Sequence, residues 1–147
     1  MQPATQTAAQ AATQTAPVSK TSLWAGRVIS ALIVVFLIFD GVTKVIKVSQ
    51  VMEAFARLGY PARLAPVIGI ILLVCVAVYV VPRTSILGAI LLTGYLGGAT
   101  EVNLRAENPL FETLFPVIFG VLVWLGLYLR DRQLRGFIPW RRPKATL

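Results

Sequence analysis

The chain has 147 residues, of which 56% are hydrophobic and only 14% charged, with a formal net charge of +8. Soluble domains carry about 25% charged residues, and a mean hydropathy of +0.75 leaves little polar surface for a soluble catalytic domain or a nucleic-acid interface. The absence of histidine and the single cysteine exclude an imidazole haem ligand, an ordinary zinc or copper site and a C-x-x-C redox pair.

In chain order, residues 1–22 are rich in Ala, Gln and Thr and read as a disordered tail without core-forming content. The stretch lacks the basic start and apolar centre of a signal peptide. Four apolar stretches follow, at about Leu23–Val42, Leu64–Val81, Ser85–Ala99 and Leu114–Leu129. A spanning helix needs about 20 predominantly apolar residues, so residues 23–140 read as a four-span membrane domain. The first span can serve as an uncleaved signal anchor. The last seven residues, 141–147, form a basic tail, with Phe137 and Trp140 before it at positions suited to the membrane interface.

Between the first two spans, Val45, Val48, Met52, Phe55 and Ala56 recur at helical spacing among Lys44, Lys47, Gln50 and Glu53. That pattern predicts an amphipathic helix, lying on the membrane surface or extending the first span. Leu58-Gly59-Tyr60-Pro61 ends it, because Gly59 can cap a helix and Pro61 blocks its continuation. Only Pro82-Arg83-Thr84 joins the second and third spans, which must form a tight antiparallel hairpin. The expected fold is all-α: an integral membrane four-helix bundle with an amphipathic helix in its first loop.

Four spans put both termini on one side. That side holds nine basic residues and the other five, so the positive-inside rule places both termini in the cytoplasm of a bacterial inner membrane. Basic residues at span ends fit a lipid bilayer as partner and no nucleic acid. Cys75, in the middle of the second span, reads as a small buried hydrophobe.

The third span carries Gly94, Gly97 and Gly98. Small residues at this spacing let helix backbones approach closely, for packing within the bundle, for self-association or for a ligand slot. Asp40 and Lys44 are four residues apart at the end of the first span, in the favourable order for an ion pair. The third span runs into Glu101, Asn103, Arg105 and Asn108, with Tyr95 one to two turns deeper. The candidate ligand-binding residues are therefore Asp40, Lys44, Tyr95, Glu101, Asn103 and Arg105. Intramembrane ionisable groups are functional candidates by default; the opposing view is that they are paired helix-end charges. A quinone carbonyl or an anionic headgroup would find a charged donor in Arg105. No catalytic residue, metal site or resident cofactor is expected.

Several strings together resemble the DoxX-like family of small four-helix bacterial membrane proteins. They are Asp40-Gly41-Val42-Thr43-Lys44, Leu58-Gly59-Tyr60-Pro61, Thr93 to Ala99 with Asn103-Leu104-Arg105, Leu114-Phe115-Pro116 and Leu127 to Asp131. The family often has histidine where this chain has Asn103, while Arg105 matches. The resemblance implies a membrane location and an association with quinone or with membrane oxidoreductase subunits. Three functions stay open: a non-catalytic accessory or scaffold subunit, a quinone- or lipid-binding subunit of an oxidoreductase, and a small-solute transporter.

Overall fold

In the computed structural model, which describes residues 20–131 and 134, every regular element is helical among the described residues. Helix α1 spans Lys20–Val45, α2 Ser49–Arg57, α3 Ala65–Val80, α4 Ser85–Arg105 and α5 Leu110–Arg130, with a short 3-10 turn at Ala62–Leu64 before α3. The segments expected around 1–19 and 141–147, and the interfacial Phe137 and Trp140, lie outside the described residues. Helix α1 begins at Lys20, so residues 20–22 are helical and do not belong to a disordered tail.

Four helices are long and apolar enough to cross a membrane: α1, α3 with its 3-10 lead, α4 and α5. All four end beyond or near the limits of the apolar stretches, and α4 makes the longest extension at one end, running six residues past Ala99 to Arg105. Its polar last turn stays helical because each backbone group still finds its partner four residues away.

The four long helices form a ring. Helix α1 packs against α3 and α5, and α4 packs against the same two. Helices α1 and α4 therefore face each other across the diagonal of the bundle. Neighbours run antiparallel: Gly26 of α1 abuts Leu129 of α5, and Gly41 of α1 abuts Leu73 of α3.

The core is mainly apolar and holds one polar knot. Ile33, Leu37, Leu72, Val76, Ala89, Leu92, Val123 and Leu127 bury their side chains with Cys75. Tyr79 is completely buried. Its phenol donates to the carbonyl of Val123 at 3.0 Å, so Ser30 Oγ, 3.2 Å away, donates to the phenol oxygen. Arg130 donates to the Tyr79 carbonyl at 3.2 Å and lies 4.8 Å from the ring centroid. This knot joins α1, α3 and α5 at the end of the bundle nearest the termini. Outside the ring, Leu32, Val35, Phe39, Val74, Leu87 and Val121 are exposed. Exposed apolar side chains all round a bundle are what a hydrocarbon solvent requires.

At the opposite end, α1 stops in a Schellman motif. Lys47 takes φ 55°, its N–H bonds the carbonyl of Lys44, and Val48 N–H bonds that of Thr43. The amphipathic segment is thus a separate helix, not an extension of the first span. Helix α2 ends the same way, with Gly59 at φ 73° and Tyr60 N–H bonded to Phe55 O at 2.8 Å. Glycine suits that left-handed position because it has no Cβ to clash. These two stops lay α2 across the mouth of the bundle with Phe55 buried beneath it.

Candidate functional site

Because α1 and α4 do not pack against each other, a space opens between them under α2. It is a cavity of about 440 Å³, lined by α1 from Phe36 to Lys44, by Phe55, Leu58 and Tyr60 of the α2 segment, by Ile68, by α4 from Tyr95 to Asn103 and by α5 from Glu112 to Phe119. Small-molecule sites typically occupy about 300–1,000 Å³ and are mostly apolar with a few polar groups, and this cavity has both properties.

Its walls are aromatic. Phe36 lies 4.6 Å from Phe119 and 5.7 Å from Phe115, centroid to centroid. Phe115 and Phe119 are 4.8 Å apart. Phe111, Phe115 and Phe119 sit at i, i+4 and i+8, a spacing that puts all three on one face of α5. Tyr95 stands on the α4 wall and Phe55 on the roof, its ring 6.0 Å from that of Tyr60.

Polar groups collect towards the mouth. Lys44 Nζ pairs with Asp40 Oδ2, as their spacing predicts. Thr43 Oγ1 donates to the Asp40 carbonyl at 2.9 Å. Asn103 donates to the carbonyl of Ala99 at 2.8 Å and accepts from Asn108 Nδ2 at 2.7 Å, so its amide is largely committed to its own helix end. The Tyr95 hydroxyl makes no hydrogen bond among the described residues, which leaves an O–H donor available in the cavity.

Of the six residues expected to bind a ligand, the structure brings Asp40, Lys44, Tyr95, Glu101 and Asn103 into one lining. Arg105 is the correction. It lies outside the lining, exposed, with its guanidinium 6.0 Å from the centroid of the Tyr60 ring, and it makes no ion pair with Glu101 among the described residues. Helix α4 ends at Arg105, one turn beyond Glu101, which carries the guanidinium past the cavity rim. Glu112 lines the cavity instead. The lining thus sets three carboxylates, Asp40, Glu101 and Glu112, against the single ammonium of Lys44. These carboxylates weigh against an anionic headgroup in the lining, and Arg105 stands beside the cavity, next to Tyr60, rather than in its wall.

Close crossings in the bundle fall on other glycines than Gly94, Gly97 and Gly98. Tight helix crossings lie at Gly26, Gly41, Gly69, Gly88 and Gly126, where an added Cβ would fall within 3.0 Å of a neighbouring helix. A Cβ on Gly94, Gly97 or Gly98 would meet nothing within 4 Å, so among the described residues none of the three sits at a close helix crossing. Gly98 borders the cavity, and Gly97 borders a second hollow on the outer side of the α4–α5 seam.

Among the described residues, no group of His, Cys, Asp and Glu side chains is arranged to hold a metal. Besides its aromatic walls, the cavity's lining carries the phenols of Tyr60 and Tyr95, the Lys44 ammonium paired with Asp40, and the carboxylates of Glu101 and Glu112. A family model described as DoxX-like matches residues 28–126. No curated protein and no solved structure matches the chain.

Proposed function

The chain belongs to the DoxX-like family of membrane proteins, and on that premise we propose that it is a non-catalytic membrane subunit that holds a quinone-class molecule between α1 and α4. One observation carries this reading: a cavity of about 440 Å³ with walls of Phe36, Tyr95, Phe115 and Phe119 and a polar mouth. Aromatic rings in offset or tilted contact favour a planar ring as guest. The Tyr95 hydroxyl and the Lys44 ammonium can each donate to a carbonyl oxygen. An uncharged head suits the carboxylate-rich lining better than an anionic one. A quinone, when bound, supplies the two-electron redox chemistry that no side chain here provides; this chain's own residues stack on the ring, donate to its oxygens and shield it from water beneath Phe55. Electrons then belong to a membrane oxidoreductase partner.

The nine-to-five excess of basic residues on the terminal side supports termini in the cytoplasm of a bacterial inner membrane, with the cavity at the outer leaflet.

Titration of the purified protein in detergent with tetramethylbenzoquinone, a head without a tail, tests this function. Saturable binding, weakened in Tyr95→Phe and unchanged in Arg105→Ala, supports it. Absence of saturable binding, or binding indifferent to Tyr95→Phe, rejects it.

A further inference from the structure

The second hollow also measures about 440 Å³ and lies between α4 and α5 on the outside of the bundle, bordered by Thr93, Gly97, Gly120 and Trp124. It shares two walls with the inner cavity, Leu96 and Pro116. The two spaces are therefore opposite sides of one thin partition. We propose that the outer hollow is the path of an apolar chain attached to the ligand head, so that the site takes a head-and-tail molecule with a prenyl or alkyl tail. This inference rests on the cavity being a head-binding site.

Four features favour that occupant. First, only Leu96 and Pro116 separate the hollow from the cavity, so a tail reaches it by displacing these two side chains, whereas a separate partner helix would need no such adjacency. Second, its floor is bare backbone. A Cβ on Gly97 would meet nothing within 4 Å, and one on Gly120 would meet only Leu96 Cδ1, at 3.9 Å. Third, the polar atoms at its edge are already satisfied: Thr93 Oγ1 donates to Ala89 O at 2.7 Å and accepts from Trp124 Nε1 at 2.8 Å. A tail there leaves no polar group unpaired. Fourth, Pro116 cannot donate to the carbonyl of Glu112 and its ring disfavours straight helix at that point. Helix α5 is thus freest to bend where the tail must pass. From Pro116 to Trp124 the helix rises about 12 Å, room for a short prenyl or alkyl segment before it joins the surrounding lipid.

The test compares tetramethylbenzoquinone with a benzoquinone carrying a decyl chain, on wild type, Gly97→Leu and Gly120→Leu. Both substitutions fill the hollow, and both replace glycine by a better helix former. Thermal melting checks that the fold is kept. The expected result is that the decyl probe binds wild type more tightly than the tailless one, and loses about tenfold or more in at least one variant. Displacing only two buried methylenes accounts for that change. The tailless probe binds all three proteins alike. Decyl affinity unchanged in both variants overturns the tail path. Equal weakening of both probes also overturns it, because the substitutions would then act through the head cavity. Failure of the tailless probe to bind wild type rejects the head site, and the tail path with it; failure of the decyl probe alone overturns only the tail path.

Discussion

A methyl group on Gly88 would sit 2.3 Å from the Cα of Tyr79. The contact is with backbone, so no side-chain rotation relieves it, and the whole α3–α4 hairpin would have to part. Overpacking costs about 1–3 kcal/mol where neighbours can shift. Gly88→Ala should reach or exceed the top of that range. Gly94→Ala, whose Cβ meets nothing, should change stability by less than about 0.5 kcal/mol. Thermal unfolding of the two variants in the same detergent checks the contrast. Equal melting temperatures would mean that Gly88 is not at a close crossing.

Tyr79→Phe removes the proton donated to Val123 O and the acceptor that satisfies Ser30 Oγ. Val123 O keeps its bond from Leu127 N–H within α5, but buried Ser30 Oγ loses its acceptor, so the cost should be about 1–3 kcal/mol, the penalty for an unpaired buried polar group. Ser30→Ala removes one partner and leaves the Tyr79–Val123 bond intact, and it should cost less. Chemical or thermal denaturation of both variants gives the order directly. A Ser30→Ala protein less stable than Tyr79→Phe would contradict the hydrogen-bond assignment.

Within the cavity, Tyr95→Phe should weaken tetramethylbenzoquinone binding by about two- to tenfold, the range of one net hydrogen bond. Asp40→Asn frees the Lys44 ammonium from its ion pair while removing one carboxylate from the lining. It should therefore strengthen binding of an anionic quinone analogue, such as a sulfonated one, relative to the neutral quinone. Isothermal titration against both probes measures that ratio. A ratio unchanged by Asp40→Asn would mean that the mouth charges do not act on the ligand.

Phe36→Ala and Phe119→Ala open the aromatic wall, since the two rings are 4.6 Å apart. Each should reduce ring binding by about two- to tenfold, from aromatic contact worth about 0.5–1.5 kcal/mol beyond burial. Leu32→Ala, on the exposed face of the same helix as Phe36, should not. Binding isotherms on the three variants make the comparison.

Much of this architecture is legible in the sequence because lipid imposes length and polarity so strictly. The four apolar runs, the tight turn at Pro82 to Thr84 and the helix over residues 49–57 follow from hydropathy and from proline and glycine positions. The i, i+4 spacing of Asp40 and Lys44 is enough to predict their pairing. The direction in which each helix faces is not legible. In a soluble helix the polar face marks the outside, but α3 is apolar all round, and its hydropathy does not show that Gly69 abuts α1. The glycines of α4 stand out by their density, yet isolated Gly41, Gly88 and Gly126 make the close crossings. Phe111, Phe115 and Phe119 recur every four residues, but their partner Phe36 lies on a helix far away in sequence, so the aromatic wall emerges only in the fold. Arg105 falls outside the lining because one further turn of helix carries it beyond the rim.

Occupancy of the space between α1 and α4 by a quinone head is the central claim. Photoaffinity labelling in native membranes with an azido-benzoquinone, followed by peptide mapping, tests this most directly. Labels are expected on the cavity-facing stretches around Phe36 to Asp40, Tyr95 to Ala99 and Phe115 to Phe119, and excess unlabelled quinone should abolish them. Labels confined to bilayer-facing residues such as Leu32, Val35, Val74 and Leu87, or labels that unlabelled quinone does not displace, would contradict it.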